Sequence, residues 1–102
     1  MNDRQNILKE IKQSVISIDE NAEVILFGSR ARGDYHDESD WDVLVLVDEY
    51  NWKLKNRFID KLFEVQIKED IGISVMVKGK EYWNMIEETL LYKEVEKHGL
   101  VL

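Results

Sequence analysis

The sequence has no cysteine and no proline in 102 residues. Without thiols it forms neither a disulfide nor a thiolate metal site. Without proline, its turns must rest on Gly, Asn, Asp and Ser. No apolar run approaches the length of a membrane span. The opening stretch MNDRQNILKEIKQ lacks the apolar core of a signal peptide. These absences predict a cytoplasmic protein with no membrane association. Positive charge is also scarce: 14 Lys and Arg stand against 21 Asp and Glu, a formal net charge of -7. Such a surface repels phosphate at long range and disfavours nucleic acid as a partner. An anionic ligand has to be held by a local arrangement that overrides the global field.

What is present is enough for one small core. Apolar residues make up 44% of the chain, and its length predicts a single domain over residues 1–102. Asn2 or Asp3 is placed to cap a first helix, in which Ile7, Ile11, Val15 and Ile18 recur at helical spacing and Leu8 widens the stripe. AEVILF (22–27) and WDVLVLV (41–47) read as strands covered on both faces. Between about Trp52 and Lys68, the residues Leu54, Phe58, Leu62 and Val65 line one helical face, with Ile59 alongside. IGISVMV (71–77) alternates as a third strand. A helix follows with Tyr82, Trp83, Ile86 and Leu90 as its apolar side, then a turn or helix to about Lys97. Gly99 is a plausible stop, and the terminal LVL is a candidate edge strand. The predicted order is α-β-β-α-β-α, an α/β (α+β) arrangement with helices packed on a small sheet. Trp41, Trp83, Phe58 and Phe63 are expected to be packing residues.

The chemistry concentrates in FGSRARGDYHDESDWDVLVLV (27–47). Alternation on a strand points Asp40 and Asp42 to one side and Trp41 and Val43 to the other. Two neighbouring carboxylates repel and raise each other's pKa unless a cation sits between them. Hard oxygen ligands suit Mg2+ or Mn2+, and magnesium completes its shell with water and substrate phosphates. The other half is GSRARG (28–33). Gly28 allows a sharp turn and a close approach. Ser29 offers a hydroxyl and an N–H to phosphate. Arg30 and Arg32 offer charge-assisted contacts, with a solvated loop as the plain alternative. A helix beginning just after Gly28 would aim its first N–H groups at an anion. Other phosphate and metal motifs fail on detail. Asp34 and Tyr35 stand where a Walker A loop needs Lys and Ser/Thr, Arg30 breaks a Rossmann fingerprint, and DYHDESDWD lacks the glycine and final glutamate of an EF-hand.

Gly28-Ser29, ten residues, then Asp40-Trp41-Asp42 resembles the G-S-x10-D-x-D signature of the DNA polymerase β-type nucleotidyltransferase superfamily. The fuller pattern, GSRARG followed by SDWDVLV, is similar to the minimal nucleotidyltransferases. The resemblance implies the polymerase β-like fold, a small mixed sheet with helices packed on it. It implies ATP or another nucleoside triphosphate held at Gly28 and Ser29, with metal on Asp40 and Asp42. Ser39 belongs to the signature and is expected to brace the loop. The implied reaction moves a nucleotidyl group, AMP in the leading reading, to a hydroxyl and releases pyrophosphate. The implied partner is a helical HEPN-type toxin, which some members of the group neutralise by adding AMP to a tyrosine.

One position departs from the pattern. Full catalytic sites in the family carry a third carboxylate on the next core strand, and here that place falls to Ser74. Glu69 and Asp70, at the start of that strand, are the candidates to reach in. Ser74 itself reads most simply as a small residue under a neighbour. Activity is therefore expected to be weak, completed by a partner, or lost. The rival reading is a nucleotide-binding module that regulates a partner by covering it. Tyr50 and Trp52 offer a base-stacking surface, or more simply a helix-start staple.

Overall fold

A computed structural model of the chain describes residues 3–102. Asp3 caps helix α1 (Arg4–Ile18), its side chain accepting from the Gln5 N–H at 3.1 Å. Asn2, the other candidate cap, lies outside the described residues. Ile7, Ile11 and Val15 are fully buried, as their spacing predicts. Strand β1 (Glu23–Phe27) leads through Gly28 into a one-turn helix α2 (Ser29–Arg32), and a loop returns to strand β2 (Trp41–Val47). Asn51 caps helix α3 (Trp52–Glu69), accepting from the Leu54 N–H at 2.8 Å. Strand β3 (Ile73–Gly79), helices α4 (Lys80–Met85) and α5 (Leu90–His98), and strand β4 (Leu100–Val101) complete the described chain.

The strands form one sheet in the order β3-β2-β1-β4. β1 runs antiparallel to β2 and β4, while β2 and β3 are parallel, so the sheet is mixed. Helices α1 and α3 cover one face. Their Ile7, Ile11, Phe58 and Leu62 pack with Val24, Leu26, Val43 and Val45. The opposite face holds a smaller cluster of Ile25, Leu44, Leu46, Trp83 and Val95, supplied by α4 and α5. Both strands predicted to be covered on two faces are so covered. The predicted α/β architecture stands: α2 and α5 extend the α-β-β-α-β-α order, and the candidate edge strand at Leu100–Val101 forms as β4 beside β1.

Three expectations need correction. β3 begins at Ile73, two residues later than the pattern suggested, because Asp70 ends α3 in the left-handed region (φ 54°) and the chain straightens only after it. The last helical region is broken. α4 stops at Met85, the Thr89 N–H returns to the Ile86 carbonyl at 3.0 Å, and the Thr89 side chain caps α5. Tyr82 and Leu90 consequently face solvent, and Trp83, Ile86, Leu91 and Val95 provide the apolar contact. Phe63, expected in the core, is 55% exposed. It lies five residues beyond Phe58, which turns it off the buried face of α3.

Candidate functional site

The site forms where β1 ends and β2 begins. The β1–β2 register sets Phe27 opposite Asp42, so the Gly28 turn lies directly beside the acidic end of β2. Gly28 has φ 72° and ψ -158°, a conformation that costs a side chain heavily. Its missing Cβ serves a second purpose. A Cβ there would run into the Asp42 carboxylate, with the carboxyl carbon only 3.0 Å away. Gly72, just before β3, does the same for the other acid: a Cβ there would meet the Asp40 carboxylate, 3.2 Å from its carboxyl carbon. Two bare backbone positions thus make room for two carboxylates.

The alternation along β2 is as predicted. Trp41, Val43, Val45 and Val47 are buried against α1 and α3, while Asp42 is half-buried and Asp40 exposed. Desolvation pushes the Asp42 carboxyl above the usual carboxylate range, and the nearby Asp40 charge pushes it further. Arg32 pulls it partly back. An acid held in this way gains from any added cation. Among the described residues, no group of three metal-ligating side chains is assembled. Two carboxylates and open solvent nevertheless suit magnesium, which takes one or two protein carboxylates.

The two arginines have separate surroundings. Arg30 turns back into the loop: its Nη2 donates to the Ser39 carbonyl at 3.0 Å and the Asp37 carbonyl at 3.2 Å. Its guanidinium carbon lies 4.5 Å from the ring centres of both Tyr35 and Trp41. Those contacts commit it to bracing the loop rather than to a free anion. Arg32 spans to α5, with Nη1 2.7 Å from Glu94 Oε1 and Nε 3.3 Å from Asp34 Oδ2. Both carboxylates hold its pKa above the ordinary arginine value. Ser39 closes the loop as expected, its hydroxyl oxygen accepting from the His36 N–H at 3.0 Å.

On β3, Ser74 pairs in register with Asp42 and therefore sits beside it on the same face. It is exposed rather than tucked under a neighbour. Neither candidate replacement fills its place. Glu69 lies against Glu10 of α1. Asp70 borders a recess with Ile7, Ser39, Trp41 and Gly72. Tyr50 lies beside Gly79 and Tyr82, at the far end of β2 and β3, some seven residues or about 20 Å along the strands from Asp40. Neither it nor the 65% exposed Trp52 at the start of α3 forms a stacking surface for this site. The sequence reading overlooked Gly72. A glycine between strand residues was the available signal, since such positions often mark a close approach.

The chain is similar to known proteins along most of its length. A family model described as a nucleotidyltransferase domain matches residues 8–102. A relative from Methanocaldococcus jannaschii, "Putative protein adenylyltransferase MJ0141", is 41% identical over 92% of this chain and 93% of its own length. A crystal structure of a "putative nucleotidyltransferase from Sulfolobus solfataricus" is 27% identical, with a TM-score of 0.53 over 94% of this chain and 76% of that one. A structure of the toxin-antitoxin MntA-HpeT superposes with a TM-score of 0.60 over 100% of this chain and 72% of that one. At 20% identity, the last likeness is one of fold.

Proposed function

The chain belongs to the nucleotidyltransferase domain family, and from that premise we propose that it transfers AMP from ATP to a hydroxyl on a partner protein. The observation that carries this reading is the seating of Asp42 against Gly28 and of Asp40 against Gly72. Asp40 and Asp42 would hold Mg2+ or Mn2+, whose charge offsets that of the phosphates. Gly28 and Ser29 would take the phosphate chain. The Ala31 and Arg32 N–H groups of α2 donate to the Gly28 carbonyl, which leaves those of Ser29 and Arg30 as the backbone donors that would face the phosphates. Arg30 and Ser39 would keep the loop in shape around them. Arg32 would stay on the rim, where its charge already reaches Asp42. In the transfer, the acceptor oxygen bonds to the α-phosphorus as the bond to pyrophosphate breaks. We take residues 1–102 as one minimal nucleotidyltransferase domain acting in the cytoplasm. No helix among the described residues is long and apolar enough to cross a membrane.

Ser74 narrows the acceptor. No carboxylate stands there to receive the acceptor proton. A tyrosine, with a pKa of about 10, gives up its proton far more readily than an aliphatic alcohol. A protein tyrosine is thus the acceptor that makes the least demand on this site. The relative described as a protein adenylyltransferase supports a protein acceptor. The fold it shares with the toxin-antitoxin MntA-HpeT is in keeping with a toxin as the bearer, and the HEPN type is what the sequence resemblance implies. The same serine favours a second reading, in which the chain binds nucleotide and restrains its partner without turnover. Mass spectrometry separates the two. Incubation with such a partner, ATP and Mg2+ is expected to give AMP-sized adducts that vanish with Asp42→Ala. Restraint of the partner without adducts, surviving both Asp40→Ala and Asp42→Ala, would establish the second reading.

A further inference from the structure

Strand β3 ends the sheet: β2 pairs with one side of it, and no described strand pairs with the other. The hydrogen bonding identifies the groups left over. The Trp41 N–H donates to the Gly72 carbonyl at 2.9 Å, so Gly72, Ser74 and Met76 direct their backbone groups at β2. Alternation then turns those of Ile73, Val75 and Val77 outward. The Ile73 N–H already finds the Gln66 side chain, at 2.9 Å. Val75 and Val77 lie on a seven-residue edge, ISVMVKG, that has no proline and one charge. Edges of this kind invite pairing unless they are blunted.

The helix above this edge is equally bare. Trp52, Ile59, Phe63 and Ile67 recur along α3 at spacings of seven and four, and Phe63 and Ile67 are 55% and 68% exposed. Two neighbours fix the direction of the stripe. Gln66 reaches the outer side of β3, and Lys55 borders a cavity with Val77 and Gly79. The charged residues Arg57, Lys61 and Glu64 lie instead on the α1 side, with Ser17 and Ile18. An apolar stripe and an open strand edge therefore run side by side, with Lys55 between them at one end.

We propose that this combined surface joins two copies of the chain about a two-fold axis, β3 against β3 and α3 against α3. A partner here must bring both a strand edge and an apolar helix flank, and a second copy brings both. Antiparallel pairing centred on Val75 sets Ile73 against the partner's Val77. On the other face it sets Gly72 against the partner's Lys78. Gly72 adjoins Asp40, so each copy brings a cation to the acidic end of the other. That complementarity matters for association between two chains of net charge -7.

Sedimentation at tens of micromolar is expected to give twice the 12.1 kDa chain mass, and Phe63→Glu, on an exposed helix face, is expected to halve it without loss of helical circular dichroism. The chain has no cysteine, so Val75→Cys tests the register directly. A residue on the two-fold axis of such a pair lies about 5.5 Å from its copy, within disulfide range. Oxidation is expected to link Val75→Cys into a covalent dimer and to leave Ser17→Cys on α1 unlinked. A wild-type chain that sediments as a monomer, or that associates only with a different protein, overturns the proposal. So does a dimer that survives Phe63→Glu, or one in which Val75→Cys links no better than Ser17→Cys.

Discussion

The two faces of the sheet are built from the same strands and covered to different extents. On the α1–α3 face, every alternate residue of β2 from Trp41 to Val47 is buried. On the other face, α4 and α5 cover Leu44 and Leu46 but stop short of Asp42 and Ser74. The completed layer carries stability. The proposed site lies where the second layer is missing, because a ligand needs open space and the carboxylates need partial solvation.

The strongest way to break this comparison is to cross the two roles. Phe58→Ala, in the covered face, is expected to cost about 3–5 kcal/mol, a large share of the about 5–15 kcal/mol that holds a domain together. Denaturant titration reads that loss. Asp42→Asn is expected to abolish AMP transfer and metal-dependent nucleotide binding with folding intact. If Asp42→Asn unfolds the protein, or Phe58→Ala costs nothing, the division of labour is wrong.

A smaller effect is expected from a methyl group. Gly72→Ala should displace the Asp40 carboxylate and weaken Mg·ATP binding by roughly tenfold, the low end for disturbing a ligand's support. Calorimetric titration measures it, and unchanged affinity would mean that Asp40 is held some other way. Ser74→Asp tests the open side of the site. A third carboxylate is expected to raise turnover towards an aliphatic hydroxyl by about tenfold or more, within the range for an added general base. No gain would locate the limit elsewhere.

The smallest expected effect is on pH dependence. The folded-state pKa of Asp42 lies above its unfolded value, so the folded protein binds this proton more tightly. The stability this gives is fully present below the unfolded pKa and is lost as pH rises through the folded one. In metal-free protein at neutral pH, Asp42→Asn should therefore raise Tm slightly, and the gain should fade in acid. Mg2+ with ATP should raise Tm for the wild type and not for the variant. A variant that is less stable than the wild type at neutral pH would contradict the cost of desolvation and charge repulsion assigned to Asp42.

Much of this was legible in the sequence because alternation and helical spacing record burial directly. The three main strands and the shared face of Asp40 and Asp42 follow from periods of two or 3.6 residues, and the first cap was narrowed to Asn2 or Asp3 by residue type. The Gly28-Ser29 turn was legible as a motif at fixed distance. What remained hidden depends on contacts distant in sequence or on side-chain direction. Arg30 looked available to phosphate, but Tyr35, Trp41 and two loop carbonyls occupy it. Arg32 meets Glu94, 62 residues away. The break between α4 and α5 turned on Thr89, whose capping role was masked by apolar residues at helical spacing on either side of it. Phe63 shows the limit of composition: a large aromatic ring predicts burial, and its angle on α3 denies it.

Gly28 and Gly72 mean that a copy of this site on another scaffold cannot be specified by its acids alone. Transplanting Asp-Trp-Asp and the Gly-Ser turn would carry across the charges and one of the two vacancies, leaving the other to chance. At such positions alanine removes nothing and adds an atom, so it tests the room around the acid and not the loss of a side chain. Here the informative lesion is a single carbon added.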